Sequence, residues 1–103
     1  MSNKYNARRT FSALCNRTFD SRAECIRGEE LCLLEKVGEI SDLRYQVKFI
    51  LSESPRISIT LDFAYLENGQ RIFEDVKGVL TRDFRTKLAW LKQSQGIKVK
   101  LIR

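Results

Sequence analysis

One hundred and three residues suffice for one compact domain with a single core and leave no room for a second. Lys and Arg number 19 against 13 acidic residues, and the resulting charge of +6 suits an anionic partner such as nucleic acid. The absence of histidine excludes Ser-His-Asp and Cys-His catalysis and histidine-based zinc sites, while the lack of a bilayer-length apolar run or secretory signal predicts a cytoplasmic chain without a membrane partner.

Residues 1–19 show no clean period and carry Lys4, Arg8, Arg9 and Arg17, which predicts a basic arm. The arm is either solvated or phosphate-contacting, with Tyr5 and Phe11 as its anchors. A helix is predicted over about 21–37, capped by Asp20 or Ser21 and closed by Gly38. Ala23, Ile26, Leu33, Leu34 and Val37 form its apolar face, and Cys25 and Cys32 share one side of it. With Cys15 these thiols lack metal-site spacing and read as reduced small hydrophobes rather than metal ligands or a disulfide.

Residues 43–51 alternate as a strand, with Leu43, Tyr45, Val47, Phe49 and Leu51 on one side and Arg44, Gln46 and Lys48 on the other. A loop at the only proline, Pro55, leads to two strands joined by Asn68-Gly69, the strongest short hairpin signal. Thr81 caps a second helix with a Phe84, Leu88, Leu91 stripe, Gly96 ends it, and residues 97–102 close the chain as a strand. The predicted order is α-β-β-β-α-β, an α/β domain.

Asn68-Gly69 as the turn pairs Glu67 with Gln70 and sets Asp62 directly across from Asp75. Two ionised carboxylates at roughly 5.5 Å and an effective dielectric near 20 repel by about 3 kcal/mol. A shared proton, the Lys77 ammonium or a divalent cation must offset this, and oxygen ligands suit Mg²⁺ or Mn²⁺. A one-residue slip would instead leave Asp75 on a solvated face, bridged to Lys77.

An acid on one strand, acid-x-Lys on its hairpin partner and a glutamate on a preceding helix resemble the PD-(D/E)XK nuclease superfamily. Here these are Asp62, Asp75-Val76-Lys77 and Glu24. The element order is also that superfamily's restriction-endonuclease-like core, a mixed sheet flanked by helices. The stretches KYNARRT, FDSRAE, GEISDL, DFAY and EDVKG further resemble a family of small phage and prophage proteins labelled either as of unknown function or as similar to Holliday-junction resolvases. Leu61 stands where the superfamily commonly has proline, and Asp75 where glutamate is commoner. Ser21-x-x-Glu24 is equally a helix capping box, and Gly28, one turn on, is expected to leave open space beside Glu24.

The resemblance implies a metal-dependent endonuclease acting on branched or junction DNA, as in recombination. Asp62, Asp75, Glu24 and the Val76 carbonyl would hold Mg²⁺ or Mn²⁺, and Lys77 would orient the attacking water. Gly78 would let a phosphate approach the backbone, and Gln46 is similar to an auxiliary polar residue of such nucleases or is an exposed strand glutamine. Lys4, Arg8, Arg9, Arg17, Arg82, Arg85 and Lys87 would hold the DNA backbone. Cutting both strands of a junction would need a homodimer, with Trp90 marking its surface or sitting at the edge of the core. The alternatives are a nickase, flap or single-strand nuclease, and a non-catalytic nucleic-acid-binding protein that keeps the fold.

Overall fold

A computed structural model describes residues 8–103. Two short strands, β1 (Thr10–Ser12) and β2 (Arg17–Phe19), precede helix α1 (Arg22–Lys36). Strands β3 (Ser41–Glu53), β4 (Arg56–Glu67) and β5 (Gln70–Val76) follow, then helix α2 (Arg82–Gln95) and strand β6 (Val99–Ile102). The α-β-β-β-α-β order is therefore present, with a hairpin added in front. The main sheet runs β3-β4-β5-β6, antiparallel except for the parallel β5–β6 pair, which makes it a mixed α/β sheet.

Local chemistry accounts for the boundaries. Ser21 caps α1 by accepting from the Glu24 amide, and Thr81 caps α2 by accepting from the Phe84 amide, each satisfying a free N–H of the first turn. Gly38 and Gly96 take the left-handed conformation just past the helix ends (φ 83° and 71°), where a side chain would be strained. Asn68 and Gly69 both have positive φ, as a tight hairpin turn requires, and fix Glu67 opposite Gln70 and Phe63 opposite Glu74.

The predicted basic arm is corrected in its second half: residues 10–19 are the β1–β2 hairpin, and Phe19 is buried in the core at 1% exposure. Phe11 is exposed and joins neither core layer among the described residues, while Lys4 and Tyr5 lie outside them. The inward face of α1 is also not the predicted one. Glu24, Cys25, Gly28, Leu31 and Cys32 are buried, whereas Ile26, Leu33 and Val37 are exposed and Leu34 packs at the margin. The helix turns its small and acidic residues inward because the Phe19 ring occupies the space over Gly28. A Cβ at Gly28 would stand 2.6 Å from Phe19 Cζ, so the expected open space is filled. Gly28→Ala should therefore destabilise the fold by about 1–3 kcal/mol, read from urea unfolding midpoints at constant slope.

The sheet is covered on both sides. On β5, Ile72 and Val76 pack toward α1 and Phe73 toward α2, in regular alternation. On β3 and β4 the alternation breaks. Leu43 and Tyr45 pack in the α1 layer but Phe49 and Leu51 in the α2 layer; on β4, Phe63 and Tyr65 belong to the α1 layer and Ile59 and Leu61 to the α2 layer. The single predicted face of β3 is thus split in two. The change of face falls between the pairs Tyr45–Phe63 and Val47–Leu61, where Gln46 lies opposite Asp62. Gln46 carries φ 51°, a left-handed conformation uncommon for a non-glycine residue and rarer still within a strand. This paired kink lets two neighbouring strands feed both core layers, and it marks the place where the acidic side chains gather.

Candidate active site

Three elements bring carboxylates to the kink. Glu24 comes from the first turn of α1, Asp62 from β4 and Asp75 from β5. Their register is the predicted one, but the two aspartates do not simply face each other. The Asp62 amide donates to Asp75 Oδ1 (3.0 Å), and the Val76 amide donates to Asp62 Oδ2 (2.8 Å). Each carboxylate thus bonds a backbone amide of the opposite strand, which offsets part of the repulsion between them. Gln46 spans the remaining acceptors, with Nε2 3.3 Å from Glu24 Oε2 and 3.5 Å from Asp62 Oδ1. Gln46 is an exposed strand glutamine, and its side-chain amide nevertheless reaches both carboxylates from that left-handed position.

Glu24 forms only half of a capping box. Its amide bonds Ser21 Oγ, but its side chain turns to Gln46 instead of returning to the helix start. Burial pushes its carboxyl up to about 7, with the negative charges of Asp62, Asp20 and Asp75 adding to the effect and Arg17 opposing it. Burial likewise raises Asp62, reinforced by the charge of Asp75, and raises Asp75 against the opposing pull of Lys77. Glu24 and Asp62 therefore hold protons near neutrality, when ordinary carboxyls have lost theirs.

Raised acidic values have a definite thermodynamic sign. Between the ordinary glutamate value of 4.5 and about 7 the folded state binds more protons than the unfolded one, so stability falls as pH rises through that window. In EDTA, the wild type should be less stable at pH 8 than at pH 5 by up to about 3 kcal/mol from Glu24. Glu24→Gln should flatten that dependence in paired urea titrations, and an equally steep profile in the variant would contradict the assignment.

Lys77 lies at the end of β5, its ammonium 3.2 Å from Asp75 Oδ2 and 4.1 Å from the centre of the Phe84 ring at the start of α2. The ring and the carboxylate hold the cation from two sides. Asp75 Oδ2 is buried and, among the described residues, its one close partner is the Lys77 ammonium. A buried oxygen left in this condition has capacity for a further cationic partner. Among the described residues no three carboxylates or thiolates converge into a ready-made cation cage. Two of the oxygens are committed to backbone amides, and Gln46 spans two of the others. The donor chemistry, hard carboxylate oxygens with one held only by a lysine, nevertheless fits a divalent cation of the Mg²⁺ class.

A family described as protein of unknown function (DUF1064) matches residues 2–102. The chain belongs to that family. No curated protein and no solved structure matches it. In this DUF1064 member the other predicted cations among the described residues make no ion pair with Glu24, Asp62 or Asp75. Arg17 is half-buried, its guanidinium 3.9 Å from the centre of the Tyr45 ring, on the side from which it lowers Glu24. Arg82 and Arg85 are exposed and line a shallow groove on α2 with Thr86 and Ala89. Lys87 pairs with Asp83 at 3.5 Å, while Arg8 is exposed and Arg9 reaches Asp20 at 3.9 Å. Space before Gly78 is open, since a Cβ there would meet no atom within 4 Å. Trp90 is 36% exposed, off the Phe84, Leu88, Leu91 stripe.

One polar cluster has no counterpart in the sequence reading. Glu74, fully buried on the α1 side of β5, accepts 2.8 Å bonds from both Nε and Nη2 of Arg27, and the Tyr65 hydroxyl donates to it as well. Burial alone would raise the Glu74 carboxyl, but the Arg27 and Tyr65 hydrogen bonds outweigh it and lower the value. Arg27 lies three residues from Glu24 on the same helix, yet nothing in the local pattern marks a partner 47 positions away. Glu74 and Asp75, adjacent in sequence, thus serve opposite faces: a closed ion pair on one and the acidic group on the other.

Proposed function

We propose that this protein is a metal-dependent, structure-selective DNA endonuclease, similar to Holliday-junction resolvases and built on a restriction-endonuclease-like fold. The observation that carries the reading is the gathering of Glu24, Asp62 and Asp75 at a strained strand position, with Lys77 held against Asp75. A structural role alone does not account for two buried acids and one half-buried, all with raised values and with only Lys77 set against them.

In this reading Asp62, Asp75 and Glu24, with the Val76 carbonyl, hold Mg²⁺ or Mn²⁺. Bound there, such an ion supplies Lewis acidity, making a nearby water more acidic and offsetting charge on the scissile phosphate. Lys77 orients the attacking water and supplies a fixed positive charge at the reacting phosphate. Gln46 holds Glu24 and Asp62 in place. The open space at Gly78 admits the DNA backbone, and Arg82 and Arg85, on the helix whose Phe84 supports Lys77, bind flanking phosphates. Both strands of a junction are cut by a homodimer, one site per strand. Among the described residues no helix is long and apolar enough to cross a membrane, and a DNA enzyme of this kind would work in the cytoplasm, that of the host if phage-encoded.

The test is incubation with a labelled four-way junction, linear duplex and single strands, in Mg²⁺, Mn²⁺ or EDTA. Junction cleavage that requires the metal is expected. Equal cleavage of every substrate would keep the nuclease but reject junction selectivity, and metal-independent binding without cleavage would favour a binding protein that kept the fold.

A further inference from the structure

Cys15, in the turn between β1 and β2, and Cys32, on the inward face of α1, hold their sulfurs 2.8 Å apart. Both are free thiols. The approach is fixed from both sides. Ser12 Oγ donates to Glu29 Oε2 (2.6 Å) on α1 and accepts from the Cys15 amide (3.1 Å), pinning the turn to the helix. Cys32 Sγ lies 3.1 Å from the Tyr45 hydroxyl. Cys15 is half-buried and reachable from solvent, while Cys32 lies beneath it at 9% exposure.

We propose that Cys15 and Cys32 form a reversible redox pair, oxidised by a peroxide to a disulfide that staples the β1–β2 hairpin to α1. The Cys15 thiolate attacks hydrogen peroxide, breaking its O–O bond to give a sulfenic acid and, after protonation, one water. Cys32 then attacks the sulfenyl sulfur of Cys15, its proton leaving with the departing hydroxyl as a second water. Two thiols lose two electrons, and the peroxide takes them. Burial holds Cys32 protonated, which assigns first contact with oxidant to Cys15 and makes Cys32 the resolving thiol. The Tyr45 hydroxyl is placed to donate to the Cys32 sulfur as its proton leaves.

The staple reaches beyond the two sulfurs. β2 carries Arg17, which rests on the same Tyr45 ring and whose charge opposes the rise of Glu24. Oxidation therefore anchors the strand that sets a cation beside the acidic group, whatever reaction that group serves.

Limited hydrogen peroxide should lower the free thiols of the intact chain from three to one and reduce its mass by about 2 Da, reversed by dithiothreitol. Peptide mapping should join the Cys15 and Cys32 peptides. The oxidised chain should melt more than about 5 °C higher than the reduced one. Cys15→Ser and Cys32→Ser should each abolish the mass loss, and Cys25→Ser, which removes the competing buried thiol, should retain it. A bridge to Cys25, a dimer linked through disulfides, sulfinic acid at Cys15 without a bridge, or three thiols surviving peroxide would each overturn the proposal.

Discussion

Asp75→Asn is expected to reduce junction cleavage on the order of 10³-fold while leaving the fold intact. The asparagine carbonyl can still accept from the Asp62 amide, the contact that Asp75 Oδ1 makes at 3.0 Å. What disappears is the charge at Oδ2, the buried oxygen whose one close partner among the described residues is the Lys77 ammonium. Removing it relieves the repulsion that raises Asp62, so in EDTA the variant should be at least as stable as the wild type above neutral pH. Activity and stability therefore move in opposite directions, which ordinary core damage would not produce. Denaturant titrations and a cleavage time course on one preparation read both quantities. Loss of both together would mean that Asp75 serves the fold.

Arg27→Ala is expected to cost about 3–5 kcal/mol, the largest stability loss of any single change considered, because it strands a fully buried carboxylate. Arg27 gives Glu74 two 2.8 Å bonds, and Glu74 has no exposure to solvent. The double variant Arg27→Met, Glu74→Leu should recover most of the loss, since apolar packing of similar volume needs no charge compensation. The pair also has a pH signature opposite to that of Glu24. The Glu74 value is lowered, so its contribution is present above the unfolded value and is lost as pH falls through the folded one. Acid unfolding should therefore begin at a higher pH in Arg27→Ala. Urea unfolding of the single and double variants at neutral pH checks the first claim, and an acid titration checks the second.

Much of this molecule was legible in its sequence wherever a local rule governs. Asn68-Gly69 set the hairpin register and hence the juxtaposition of Asp62 and Asp75, because a two-residue turn admits one pairing. Ser21, Thr81, Gly38 and Gly96 marked the helix ends through capping chemistry alone. The inward face of α1 was not legible, because it is chosen by what packs on it. Phe19 demands the glycine, and the acidic site demands Glu24, so apolar Ile26, Leu33 and Val37 are left outside. The kink at Gln46 was hidden for a related reason. Glutamine has no special preference for left-handed backbone, and perfect alternation from Leu43 to Leu51 reads as one face even when a bend turns half of it over. Arg27 and Glu74 meet only through tertiary packing.

The central claim, that these carboxylates form a cation site, is tested most directly by titrating Mn²⁺ into the wild type and Asp62→Asn, with free Mn²⁺ followed by electron paramagnetic resonance. Asp62 is the carboxylate that touches both Gln46 and the Val76 amide, so its loss should disable the site without disturbing Lys77. Depletion of the free-ion signal by the wild type, absent in the variant and reversed by excess Mg²⁺, is the predicted result. Indistinguishable titrations of the two proteins would contradict it.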